Sequence, residues 1–308
     1  MHKNSHPETL GRAYVLLVLV IIIWGVNWPI MKLGLQFVTP LWFATARMFL
    51  GTLCLFAFLA LQGQLRIPER DDLSILISVG IFQIGVPVSL IHTGLLYLEA
   101  GRSAILVFTI PLWVLPMAFF FLGERPTRAK LGGMALGLLG IGVMFHPQVF
   151  DFTDVNALIG NGFMLLASFS FAIAIVLVRR HPWTSPIIQL IPWQMLLGTG
   201  FIFIAANLIE GFYDIQWTGT LVAIMAYNGP VASAFAFWAY VTVSRSLPAM
   251  STSLGSLGVP VMGVVSSVLI LGEPVTPTMM AGLMLISLGV LAVTYDDLKV
   301  MKSSNPLK

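Results

Sequence analysis

Long apolar runs separated by short gaps of breakers and charges make up almost the whole chain. Runs of about 20 apolar residues, enough for a helix to cross a ~30 Å hydrocarbon core, recur from end to end. They predict helices at 13–34, 41–61, 73–97, 103–122, 129–145, 157–178, 186–209, 219–243, 251–271 and 277–295. Breakers and charges collect between them: Thr39-Pro40, Arg66 to Asp72, Gly123 to Pro126, His146-Pro147, Arg179 to Trp183, Gly211 to Asp214 and Pro274 to Pro277. Spans this apolar must be helices, because backbone polar groups find no water in lipid and have to pair within their own segment. No small-residue cleavage site follows the first run, which is therefore expected to be a span and not a signal peptide.

A fragment of this pattern occurs twice. Leu122-Gly123-Glu124 returns 149 residues later as Leu271-Gly272-Glu273. The same shift lays Leu98, Ala100, Pro111, Thr127, Gly133, Leu136, Leu139 and Gly140 on Leu247, Ala249, Pro260, Thr276, Gly282, Leu285, Leu288 and Gly289. A shift of 147 lays Met48-Phe49-Leu50-Gly51-Thr52 on Met195-Leu196-Leu197-Gly198-Thr199. The expected architecture is an all-α integral membrane protein whose ten transmembrane helices form two five-helix repeats. The repeats cover 13–145 and 157–295, with cytoplasmic tails at 1–12 and 296–308. Five is odd, so the second repeat crosses the bilayer inverted. A pseudo-two-fold axis in the membrane plane then relates the halves, the geometry of alternating-access carriers.

Composition agrees: hydrophobic residues form 57% of the chain and charged residues 9%, against roughly 25% charged in an average soluble domain. The net charge of +3 could point to nucleic acid, but the 16 basic residues form no stripe, and no nucleic-acid partner is expected. They sort by side instead. With the N-terminus in the cytoplasm, Lys3, Arg12, Arg66, Arg70, Arg125, Arg128, Lys130, Arg179, Arg180, Arg245, Lys299, Lys302 and Lys308 are inside, and only Lys32 and Arg102 are outside. The single cysteine, Cys54, permits neither a disulfide nor a cysteine-based metal site. No metal and no other cofactor is expected, and no catalytic residue. The partners implied are a small-molecule substrate and the lipid bilayer.

Polar side chains within the spans are few, and their placement carries the candidate chemistry. No Asp or Glu lies mid-span; Glu99, Glu124, Glu210 and Glu273 fall at helix ends. Intramembrane ionisable groups are costly and normally functional, so their absence argues against carboxylate-driven cation antiport. Trp24, Asn27 and Trp28 of the first span combine an amide with indoles, able to hold a substrate or to pack and bond between helices. Gln83 and His92 lie in the third span; His92 suits pH sensing or a hydrogen-bonded packing role. Phe108 and Trp113 belong to the fourth. Tyr227, Asn228 and Trp238 of the eighth, with Gly229-Pro230, make the most polar and aromatic mid-membrane stretch, where irregular backbone has to face protein or a water-filled cavity. These ten side chains form the expected substrate-binding set. Pro111 and Pro260, at matched places in the fourth and ninth spans, are expected hinges. Arg47 has three open roles: pairing with a substrate carboxylate, snorkelling outward, or bonding helix-end carbonyls. The glycine-rich face around Gly133 and its partner at Gly282 suit helix packing within a monomer or a homodimer contact.

Ile23-Trp24-Gly25-Val26-Asn27-Trp28, Ala44-Thr45-Ala46-Arg47-Met48, Glu99-Ala100-Gly101-Arg102-Ser103-Ala104, Pro111 before Leu122-Gly123-Glu124-Arg125, Arg245-Ser246-Leu247-Pro248-Ala249 and Gly272-Glu273-Pro274 occur in this order. Taken together the chain resembles the ten-helix EamA-type exporters of the drug/metabolite transporter superfamily, from about Val15 to Val293. The resemblance implies a bacterial inner-membrane carrier, often an exporter of amino acids or other small metabolites. The small multidrug antiporters of the wider superfamily use a membrane-embedded Glu, which the first span here lacks. The expected function is export of small neutral or zwitterionic metabolites, above all amino acids, including aromatic ones. An organophosphate or nucleotide-sugar exchanger would need cationic clamps, which are scarce. An intramembrane enzyme would need His-Glu-x-x-His, Gly-x-Ser-x-Gly or an intramembrane Asp, and the chain has none.

Overall fold

A computed structural model describes residues 7–123, 125–146, 151–181, 185–212, 215, 217–246 and 258–303. Among the described residues every regular element is helical. The elements are α1 (Pro7–Gly34), α2 (Pro40–Leu61), α3 (Arg70–Gly94), α4 (Ala100–Leu122), α5 (Arg128–Met144), α6 (Val155–Arg180), α7 (Ile187–Ile209), α8 (Gly219–Ala226, continued by Tyr227–Phe235 and Ala236–Ser246), α9 (Gly258–Leu271) and α10 (Pro277–Ser303). Seven of them, α1 to α4 and α6 to α8, are long and apolar enough to cross a membrane. α9 and the Pro277–Ala292 part of α10 are shorter apolar helices.

Helix ends differ from the sequence expectation where polar groups outside the apolar run extend or stop the coil. α4 starts at Ala100 rather than 103, because the Glu273 carboxylate accepts from the Ala100 and Gly101 N–H groups at 2.7 and 3.0 Å. α6 starts at Val155, where the Asp154 side chain accepts from the Asn156 and Ala157 N–H groups. α3 stops at Gly94, and residues 95–98 form a turn. α9 was expected from 251; residues 251–257 lie outside the described set. α4 and α9 close on Gly123 and Gly272 at φ 69° and 68°, the left-handed backbone that glycine adopts without steric cost. That accounts for the glycine of the duplicated Leu-Gly-Glu.

Two helices are locally underwound into wider, π-type turns: Ser78–Gly85 in α3 and Tyr227–Phe235 in α8. Pro87 lies just beyond the first and Pro230 within the second. Proline removes a backbone donor and crowds the preceding turn, a recognised cause of such widening. α4 breaks between Val107 and Ile110, immediately before Pro111. Pro260 lies near the described start of α9.

α1 packs on α8 and α9, α2 on α7 and α8, α3 on α6 and α7, α4 on α6 and α9, and α5 along α10. The α5–α10 contact is glycine-lined: a Cβ on Gly140 would lie 3.0 Å from the Gly282 carbonyl. This pairing within the chain takes up the small-residue face noted in the sequence. One apolar core gathers Trp28, Met31, Phe43, Leu95, Ile105, Leu106, Met164 and Leu283; a second gathers Met48, Leu55, Ile75, Leu190, Met195 and Ile202. Leu61, Phe120, Leu208, Ile209 and Leu269 stand at least three-quarters exposed around the outside. Such a surface would aggregate in water and is the surface a bilayer covers.

Candidate functional site

Four helices meet around Arg47. It sits on α2, and only 7% of it is exposed. Its Nη1 donates to Met31 Sδ on α1 at 2.7 Å and lies 3.4 Å from His92 Nε2 on α3. Its Nη2 donates to Ser233 Oγ on α8 at 3.3 Å, while Nε has no partner. Arg47 therefore neither snorkels outward nor bonds helix-end carbonyls, two of the roles left open by the sequence. The Val88 carbonyl, an obligate acceptor, lies 2.7 Å from His92 Nδ1, so Nδ1 carries the proton and Nε2 accepts from Arg47. The imidazole is thus neutral, with both ring nitrogens in hydrogen bonds.

The α1–α8 contact extends this cluster. Trp24 Nε1 donates to the Ala232 carbonyl at 3.0 Å, and Tyr227 Oη donates to the Ile23 carbonyl at 2.7 Å. Trp24 also packs against Phe237 and Tyr240, with ring centroids 5.6 and 5.2 Å away. Asn27 stands one turn from Ile23 and one turn from Met31, on the stripe that reaches α8 and Arg47. Its Oδ1 is buried without a partner, and so is Asn228 Oδ1, whose Nδ2 donates to the Ile224 carbonyl.

The remaining expected residues lie elsewhere. Trp28 packs against α9, where a Cβ on Gly263 would sit 3.3 Å from its indole. Trp113 meets Phe169 edge-on across α4–α6, and its Nε1 is buried and unpaired. Phe108 lies at the α4 break and Gln83, half-buried, in the widened turn of α3. Trp238 packs between Phe58 and Phe235. His92 bonds Arg47 directly, Trp24 and Tyr227 tie α1 to α8, Asn27 and Asn228 lie buried on those same two helices, and the other five expected residues are distributed over neighbouring helix contacts. A cavity of about 120 Å³ opens between residues 66–69 and 185–190, and none of the expected residues lines it. Arg47 and Ser233 are the members the expected set omitted. The available signal was that Arg47 is the one basic residue well inside a span.

Charges near the helix ends are engaged. Lys32 pairs with Glu273 at 3.5 Å and donates to the Leu98 carbonyl. Arg102 donates to Asn161 Oδ1 at 2.9 Å and to the Met144 carbonyl at 3.1 Å, with Phe145 beneath its guanidinium. Glu99, in the turn before α4, has its carboxyl pushed above the usual range by burial and by the neighbouring Glu273, although Lys32 and Arg102 pull the other way.

Comparison with known proteins gives this arrangement a context. A solved crystal structure superposes with a TM-score of 0.63 at 17% identity, covering 94% of this chain and 99% of the other, which establishes a shared fold. The uncharacterized transporter YoaV of Bacillus subtilis is 26% identical over 279 residues, 91% of this chain and 95% of its own. A probable amino-acid metabolite efflux pump of Escherichia coli is 25% identical over 286 residues, 90% and 92% of the two chains. A probable terminal-alkyne amino-acid exporter of Streptantibioticus cattleyicolor is 24% identical, covering 94% and 95%. The family model described as the EamA-like transporter family matches twice, at residues 11–146 and 158–295. With both matches spanning nearly its whole length, this multi-pass helical membrane protein belongs to the EamA-like transporter family.

Proposed function

We propose that the protein is a secondary carrier that exports small neutral or zwitterionic metabolites, amino acids above all, by alternating access. In this reading all ten helices, α1 to α10, cross a bacterial inner membrane with both termini in the cytoplasm. Residues 13–145 and 157–295 are two inverted repeats. The substrate site lies where they meet, with Trp24, Asn27, Tyr227, Asn228 and His92 as its centre and Pro111 and Pro260 as paired hinges. Trp28, Gln83, Phe108, Trp113 and Trp238 line its approaches.

The observation that carries this reading is a set of contacts that come in equivalent pairs. A Cβ on Gly80 would meet Leu197 and the Gln194 carbonyl; a Cβ on Gly229 would meet Leu50 and the Arg47 carbonyl. Gly80 and Gly229 are 149 residues apart, and Leu50 and Arg47 precede Leu197 and Gln194 by 147. The widened turns likewise begin at Ser78 and at Tyr227, 149 later. Thr52 and Thr199, equivalents at offset 147, approach each other at 3.4 Å. Equivalent residues that touch lie beside the axis relating their halves, so α2 and α7 are the natural pivot of a rocking motion.

Amino-acid export is supported by the efflux-pump and exporter relatives and by a centre that mixes aromatic faces with amide oxygens. The organophosphate reading is weaker, because Lys32 and Arg102 are already committed to protein partners. Uptake of labelled amino acids, nucleosides and sugar phosphates into proteoliposomes tests the proposal. Saturable amino-acid flux, reduced at least tenfold in Trp24→Ala and Asn228→Ala with normal insertion, is expected. Flux confined to sugar phosphates refutes it.

A further inference from the structure

We propose that Arg47 is an anion site in the centre of the protein that recognises the carboxylate of the transported molecule. The inference deepens the export reading and rests on it for the identity of the cargo. Its own basis is a charge imbalance. A guanidinium is permanently cationic, and moving such a group out of water costs several kcal/mol unless it is paired. Arg47 is 7% exposed and its partners are a thioether, a neutral imidazole and a hydroxyl. None carries negative charge, and every Asp and Glu of the chain falls outside the middles of the spans. Its Nε is buried without an acceptor. An arginine whose task is to tie helices together is ordinarily given a carboxylate or several carbonyl groups. This one is held in place by uncharged acceptors alone.

The equivalent position in the other half sharpens the point. Gln194 stands where Arg47 would recur, equally buried, with its Nε2 unpartnered. The scaffold around both positions is matched, from Gly80 and Gly229 to Leu197 and Leu50. A role in supporting the scaffold would call for the same group twice. The charge appears once, as a ligand lacking two-fold symmetry requires.

Two amides on the helices that hold Arg47 supply the other pole of the proposed site. Asn27 Oδ1 and Asn228 Oδ1 are buried acceptors without donors. Asn27 lies one turn from Met31, which holds Nη1, and Asn228 about one turn of the widened helix from Ser233, which holds Nη2. Guanidinium for carboxylate and amide oxygens for ammonium match the two ends of an α-amino acid. The neutral His92 leaves the site a single positive charge.

Binding is the direct test, read separately from transport. Purified protein in detergent is titrated with L-phenylalanine, L-leucine, 3-phenylpropionate and phenethylamine, following thermal stabilisation. The wild type is expected to bind the acids and to bind phenethylamine at least tenfold more weakly. In Arg47→Gln the affinity for the acids should fall about 10- to 150-fold, equivalent to ~1.5–3 kcal/mol for a lost bond to a charged group, with phenethylamine unaffected. Arg47→Lys keeps the charge without the fork and guards against a fold lost on substitution; intermediate affinity is expected. Equal binding of amine and acid by the wild type, full acid affinity in Arg47→Gln, or no binding of any acid overturns the proposal. Arg47-dependent binding without flux would leave it standing and sink the export reading instead.

Discussion

Glu99 shows how a single side chain can work against the fold it belongs to. Its carboxyl sits in the turn before α4, where burial and the neighbouring Glu273 hold its proton more tightly than water would. A carboxyl raised in the folded state favours folding when protonated. That contribution is present at low pH and fades as pH climbs from the ordinary carboxylate value through the raised one. Glu99→Gln should therefore leave stability unchanged at about pH 4 and equal or raise it at about pH 8, read by thermal denaturation in detergent. A variant less stable than wild type at both values would show that the ionised carboxylate is needed there. At this scale the sequence was legible in part. Asn27, His92, Tyr227 and Asn228 stood out as polar groups in apolar runs; His92 bonds Arg47 and Tyr227 bonds α1, while both asparagines are buried with an unpartnered oxygen. Trp28 and Trp113 stood out equally and went into helix contacts on other sides. Residue type reveals that a buried group needs a partner, and only the packing decides which neighbour supplies it.

Helix ends are joined across the two halves by acids that the sequence placed in turns without assigning them work. Glu210, at the end of α7, accepts from Thr39 Oγ1 at 2.6 Å and from the Leu41 N–H at 2.9 Å, capping α2. Glu273 caps α4 in the same way and pairs with Lys32 of α1. A carboxylate at a helix start satisfies orphan N–H groups and complements the helix dipole. Glu273→Ala should cost about 0.5–2 kcal/mol of stability, and Glu273→Gln, which keeps one acceptor, less. Equal stability of Glu273→Ala and the wild type would deny the cap its role. The helices themselves were readable from the apolar runs, because lipid leaves a long apolar segment no alternative. The widened turns of α3 and α8 were not. Gly229-Pro230 marked where a disturbance would fall in α8, but the seating of Gly80 and Gly229 against α7 and α2 is visible only in the packing.

For the whole molecule, the duplicated Leu-Gly-Glu and the offset near 149 carried information beyond any single motif. They suggested two halves, and in the reading proposed above the equivalent contacts around α2 and α7 lie where those halves meet. The arrangement across the membrane is proposed from charge: cysteines placed at the exposed Thr218 and Arg180 in a Cys54→Ala background should differ, Thr218 reacting with impermeant reagents from outside and Arg180 not. Labelling of the Arg180 position in intact cells would reverse the orientation. The central claim is that one site is exposed to each side in turn. Counterflow tests it most directly: proteoliposomes preloaded with unlabelled L-phenylalanine or L-leucine, without a proton gradient, should transiently accumulate the external labelled amino acid above equilibrium. Entry that is linear, unsaturable and indifferent to the internal amino acid would contradict alternating access.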